Sequence, residues 1–150
     1  MRYTEKQTSF VIIGVLIGIL ILLFISYNYN WSNVTIDFSG VMVVSIILVV
    51  SLILFFQMRT SVDSEKIHIS YGIGLINKRI LISNIEQVTV VRNSWYYGFG
   101  IRMLKNGWLY NIKGLDAVEL KMKNSRSIIR IGTGDSTSLK RNIELRLKKM

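Results

Sequence analysis

Few residues in this chain are equipped for bond-making chemistry. It holds one histidine, His68, and no cysteine, so composition alone excludes a thiolate metal site, a cysteine nucleophile and a histidine cluster. Asp116 and Glu119 stand three apart; on a strand an odd offset sends two side chains to opposite faces, so they do not form an acid/base pair. His68 alternates with Ile67 and Ile69 and is expected on the polar face of a strand, pointing to solvent. Glycine pairs at 72 and 74, 98 and 100, and 132 and 134 lack the lysine and the strand-to-helix setting of a phosphate loop and read as turn glycines. The last pair opens on a helix start, where the Asp135 carboxylate would itself occupy the anion position. No catalytic, cofactor-binding or metal-ligating residue is expected, and no enzymatic activity.

What remains is the chemistry of contact. From Met58 onward there are 17 Lys plus Arg against 7 Asp plus Glu, an excess of +10 that equals the formal charge of the whole chain. Such an excess points to a polyanion, either an acidic lipid surface or nucleic acid. Arg59, Lys140, Arg141, Lys148 and Lys149 are the candidate lipid contacts, at about 1 kcal/mol for each cation near an anionic surface. Residues 93–100 place Trp95, Tyr96, Tyr97 and Phe99 within five positions. Three readings of this stretch stay open: rings folded over the core, amphipathic rings set among lipid headgroups, or contact with a partner protein. Arg102 and Asp116 have the chemistry for a structural salt bridge between neighbouring strands.

The elements that position these residues begin with two apolar runs, 10–26 and 41–56, in a stretch whose one charge is Asp37. At about 16 or 17 residues each, extended by flanking Ser, Tyr, Gln and Met, they suit a transmembrane helical hairpin with helices at about 10–27 and 40–57. The link between them contains no Lys or Arg, whereas Arg2, Lys6 and Arg59 flank the hairpin. The distribution of positive charge therefore places both termini in the cytoplasm of a multi-pass plasma-membrane protein. No small-x-small cleavage site follows Ser26, and Tyr27, Tyr29 and Trp31 suit an interfacial aromatic belt. Gly14 and Gly18 allow close helix approach; contact with this chain's own second helix, through Ser45 or Ser51, is expected ahead of a dimer seam.

Residues 59–65 read as a short polar linker. Beyond it the pattern is one of short strands, at 66–71, 77–82, 88–92, 101–104, 108–112, 117–123 and 127–131, with a turn at Asn106-Gly107 and one helical turn near 83–88. Asp135 or Ser136 then caps a helix whose Leu139, Ile143 and Leu147 form one apolar stripe. Seven strands and a closing helix define a small, bent antiparallel sandwich or barrel with a C-terminal capping helix, occupying 59–150 after a hairpin at 1–58.

Two N-terminal membrane helices followed by Tyr96-Tyr-Gly-Phe-Gly-Ile-Arg102, Gly107-Trp-Leu-Tyr-Asn-Ile-Lys-Gly114, Asp116-Ala-Val-Glu-Leu120 and Ile129-Arg-Ile-Gly-Thr133 resemble the small bacterial membrane proteins with a pleckstrin-homology-like domain of the DUF304 type. The resemblance implies a PH-like fold of seven strands and a C-terminal helix and says little about activity. Basic residues typical of inositol-phosphate recognition are missing from the first hairpin loop until Lys78 and Arg79. The expected function is a non-enzymatic, membrane-anchored binding or scaffolding module at the cytoplasmic face. Its partners would be anionic lipid headgroups, a membrane protein or further copies of the chain, and a membrane-tethered nucleic-acid binder is the alternative.

Overall fold

A computed structural model of the chain describes residues 3–29, 37–123 and 125–149. Two long helices, α1 (Phe10–Tyr29) and α2 (Phe38–Phe55), follow the apolar runs. Their 20 and 18 residues make them about 30 Å and 27 Å long, close to the thickness of a hydrocarbon core. Neither buries a single residue, and by length and composition both are long and apolar enough to cross a membrane. Asp37 starts α2 by accepting a hydrogen bond from the Gly40 amide at 3.1 Å and another from the Ser39 hydroxyl. Trp31 and Arg2, invoked above for interface and orientation, lie outside the described residues.

A Cβ added at Gly14 or Gly18 would meet no atom within 4 Å. The expected close contact of these glycines with the second helix is therefore absent. Ser51 instead donates its hydroxyl to the Ile47 carbonyl of its own helix.

The first sheet contains two strands that the sequence reading did not anticipate. Strand β1 (Tyr3–Thr8) runs straight into α1, and β2 (Gln57–Val62) runs straight out of α2. They pair antiparallel and are followed in the sheet by β3 (Lys66–Tyr71) and β4 (Ile76–Leu81). The linker expected at 59–65 is thus corrected: Met58, Thr60 and Val62 are buried strand residues. The inner face of β1 is Tyr3, Glu5 and Gln7, too polar for a strand signal. It packs through hydrogen bonds instead, with Gln7 Nε2 donating to the Gly132 carbonyl at 2.9 Å.

After a 3-10 turn at Ile82–Asn84 come β5 (Ile85–Arg92), β6 (Gly100–Leu104), β7 (Gly107–Asn111), β8 (Asp116–Met122) and β9 (Ile128–Gly132), arranged β5-β8-β9-β7-β6. The expected architecture is corrected on three points. Among the described residues nine strands replace seven, both sheets are open so that no barrel closes, and β7 pairs parallel to β9. Having returned from β8, β9 accepts β7 on its far side, where the two strands run the same way. The β6–β7 loop is Lys105-Asn106, one residue earlier than expected, with Gly107 opposite Leu104. Gly107 is needed for close approach, since a Cβ there would lie 1.8 Å from the Ile128 carbonyl oxygen.

Side chains of both sheets meet α3 (Ser136–Leu147) in one core that includes Ile67, Ile69, Tyr71, Val118, Leu120, Ile131, Leu139 and Ile143. Asp135 caps α3 by accepting from the Ser138 amide at 2.9 Å. Hydrogen bonding from the Ser138 side chain, then from its amide, holds the Asp135 carboxyl below its ordinary range.

Candidate functional site at the helix and sheet junction

Nothing flexible separates the helices from the first sheet. The Ser9 amide donates to the Phe56 carbonyl at 3.1 Å, where the two chain passages cross. Phe55, the last residue of α2, meets Tyr71 edge to face at 5.9 Å, and Ile12 of α1 also packs against the β core. The β3–β4 turn is pressed beneath α2: the Gly72 amide donates to the Gln57 carbonyl at 2.7 Å. At Gly72, φ is +55°, and an added Cβ would lie 2.1 Å from the Ile53 carbonyl oxygen. This seating brings Ile73 and Leu75, 67% and 69% exposed, beside the last turn of α2. Two large apolar side chains thus stand exposed on a turn tip near the end of a predominantly apolar helix.

The outer face of the first sheet is cationic. The register places Lys6 directly opposite Arg59, and His68 opposite both Ser61 and Arg79, with Lys66 one step further along β3. The strand residues on this face include no carboxylate. Lys6 and Arg59 each stand four residues from a helix end, roughly 13 Å along an extended strand. His68 is on the expected face but only half exposed, and its Nε2 is closed off from solvent without a partner among the described residues. The expectation that it points freely to solvent is corrected.

The aromatic excursion does not fold into the core. Trp95 is 80% and Tyr96 66% exposed, while Tyr97 is half-buried. The rings touch one another, Tyr96 tilted against Tyr97 at 4.7 Å and Trp95 edge to face with Tyr96 at 6.4 Å. Hydrogen bonding from Ser94 lowers the Tyr96 phenol pKa, and Tyr96 in turn raises that of Tyr97. The excursion is tied down by Asn111 Nδ2, which donates to the Gly98 carbonyl at 3.3 Å and to the Gly114 carbonyl at 3.1 Å. Its last side chain, Phe99, reaches the helices, where it lines an apolar cleft of about 330 Å³ with Ile12, Leu16, Ser51, Phe55, Ile101 and Arg102.

The expected pairing of Arg102 with Asp116 is corrected by topology. Arg102 lies on edge strand β6 and Asp116 on β8, with β7 and β9 between them; the register partner of Asp116 is Arg92. The ion pair of the second sheet is instead Arg130 Nε to Glu119 Oε2 at 2.7 Å. Nor does the fold gather Arg59 with the cations of α3. Arg59 faces outward from the first sheet, whereas α3 packs against β5 and β8, at the edge remote from β6. On α3, Lys140 is 3.7 Å from Glu144, while Arg141, Lys148 and Lys149 are exposed.

Glu5 joins the two ends of the chain. It accepts from the Tyr3 hydroxyl at 3.1 Å, the Thr133 hydroxyl at 2.6 Å and the Gly134 amide at 2.8 Å. Burial, then the Glu5 charge, raises the Tyr3 phenol pKa. Among the described residues no group of three or more His, Cys, Asp or Glu side chains could hold a metal ion. No protein-family model matches this chain, and no curated protein matches it.

Sequence reasoning missed Lys6, Lys66 and Arg79 as partners of Arg59, together with Ile73 and Leu75. The signal for the last two was Gly72-Ile-Gly-Leu75, a turn in which the residues between and after the glycines are large and apolar.

Proposed function

We propose that this chain is a non-enzymatic module, anchored by a two-helix hairpin in the plasma membrane, whose PH-like β unit binds anionic lipid at the cytoplasmic face. One observation carries the reading: β1 and β2 continue the two helices without a linker, which keeps Lys6 and Arg59, opposite each other on the cationic face, four residues from the helix ends. The open sheets capped by α3 support the PH-like description, and the nine strands and the parallel pair make it a variant of that plan. Lys6 and Arg59 beside the helix ends, against a connecting loop without Lys or Arg, support cytoplasmic termini. Exposed Ile73, Leu75, Trp95 and Tyr96 supply apolar and amphipathic contacts of the kind favoured at an interface.

The full chain is the object to test, because removing the first 57 residues would also remove β1 and the Glu5 contacts. Reconstituted into nanodiscs of neutral lipid and of mixed neutral and anionic lipid, residues 57–81 should exchange amide hydrogens more slowly in the anionic discs. Salt should abolish the difference. Equal exchange in both discs at low salt would refute lipid binding by this face.

A further inference from the structure

Arg102 is the one charged residue in the lining of the junction cleft, and its surroundings are otherwise almost entirely apolar: Ile12 and Leu16 from α1, Phe55 from α2, and Phe99 from the aromatic excursion. Among the described residues its guanidinium makes no hydrogen bond or ion pair; the residue is exposed at the rim of the cleft, on the strand face opposite Ile101, with its guanidinium beside Gly98. Because β6 is an edge strand, every second backbone N–H beside Arg102 also has no sheet partner. The cleft opens beside the first turns of α1 and the last turn of α2, the level at which a phospholipid changes from polar headgroup to acyl chain.

We infer that this cleft holds a single anionic glycerophospholipid, with its phosphodiester on Arg102 and the first part of one acyl chain along Ile12, Leu16, Phe55 and Phe99. A planar guanidinium meets a phosphodiester through two parallel N–H···O bonds. The apolar walls exclude water and strengthen that contact. No carboxylate lines the cleft to receive a headgroup ammonium, which favours a lipid with net negative charge. A volume of about 330 Å³ sits at the small end of the range for ligand sites and suits a portion of one lipid. The inference rests on the membrane reading above but concerns one stoichiometric lipid, separate from the diffuse attraction of the first sheet's outer face.

The test is native mass spectrometry of the full chain in non-ionic detergent, titrated with phosphatidylglycerol or with a diacylglycerol of the same acyl chains. A one-to-one phosphatidylglycerol adduct is expected, with diacylglycerol weaker by about tenfold or more, the size of a charge-assisted contact. Arg102→Gln should reduce phosphatidylglycerol to the diacylglycerol level, and Arg102→Lys should fall between. Ser51→Phe, which fills the cleft from a lipid-compatible helix, should weaken both lipids, whereas Lys6→Gln with Arg59→Gln should leave the adduct intact. Wild-type affinity in Arg102→Gln, an adduct indifferent to Ser51→Phe, or displacement by millimolar inorganic phosphate would overturn the inference. Loss of the anionic-disc effect with the adduct retained would count against the surface reading alone.

Discussion

The outer faces of the two sheets use the same residue types to opposite ends. Across the second sheet the register aligns Thr89, Glu119, Arg130, Leu109 and Arg102, and its central charges are paired, Arg130 with Glu119 at 2.7 Å. Lys121 and Glu86 pair alongside at 3.1 Å. Across the first sheet Lys6 faces Arg59 with no carboxylate on the face. Like charges directly opposite on neighbouring strands cost a few tenths to about 1 kcal/mol. In the middle of the second sheet the charges are neutralised internally and serve the fold, while Arg102 on the edge strand stays unpaired among the described residues. On the first, Lys6 and Arg59 have no ion-pair partner among the described residues, which is the basis for the proposed anion contact.

The largest effect should come from the joint that holds the cationic face in place. Gly72→Val would force a β-branched residue into φ +55° and drive its Cβ against the Ile53 carbonyl, 2.1 Å away. A loss of several kcal/mol is expected, enough to unseat the turn from α2 in a chain of ordinary marginal stability. Gly74→Ala is the control. Its φ is +96° but the space is open, so the cost should stay near 1 kcal/mol. Thermal melting in detergent separates the two, and equal melting temperatures would show that the helix and turn contact is dispensable.

Next in size is the paired face. Glu119→Gln leaves the Arg130 guanidinium half-buried without its carboxylate, at an expected cost of about 1–3 kcal/mol. Asn93 Oδ1, 3.5 Å from Arg130 Nη1, is too distant to compensate. Urea unfolding measures it, and a change under 0.5 kcal/mol would place this pair among ordinary surface ion pairs.

The core beneath both faces should show its own pH limit. Burial raises the Tyr71 phenol pKa above its ordinary value of 10, with Tyr110 adding to the effect. A group whose folded pKa is raised contributes fully below its unfolded value and loses that contribution as pH climbs. Ionisation of Tyr71 should therefore leave stability unchanged up to about pH 10 and lower it above that. Tyr71→Phe should flatten the alkaline decline at a cost near 1 kcal/mol, that of the hydrogen bond to the Asn111 carbonyl at 3.3 Å. An unchanged alkaline limb would assign the decline to other groups.

The contrast between the faces was only half legible in the sequence. The helices announced themselves by uninterrupted apolarity, and β3, β8 and α3 by clean periods, because each buries a stripe against one core. Strand β1 was silent because its inward residues are polar: Glu5 and the Gln7 Nε2 bond to partners 128 and 125 positions away. Strand β2 reads as polar because Thr60 and Ser61 are buried in it. Without those two strands, Arg59 had no Lys6 beside it. The pairing of Arg102 failed for a related reason: its strand β6 and the β8 strand of Asp116 were taken as neighbours, whereas β7 and β9 both lie between them. The exposure of Trp95 and Tyr96 depends on a long-range tie from Asn111 to Gly98, which no local pattern encodes.

The smallest effect is also the sharpest discriminator between the faces. Removing charge from a face that uses it for folding must destabilise, while removing charge from a face that repels itself must not. Lys6→Gln and Arg59→Gln, singly or together, should leave stability unchanged or raise it by a few tenths of a kcal/mol. The same variants should lose the slower amide exchange of residues 57–81 in anionic nanodiscs. If they destabilise the chain by as much as Glu119→Gln does, the two faces are equivalent, the first sheet's cations are structural, and the headgroup reading loses its basis. If stability holds while the anionic-disc protection disappears, the repulsion between Lys6 and Arg59 is offset only when a lipid anion lies over them.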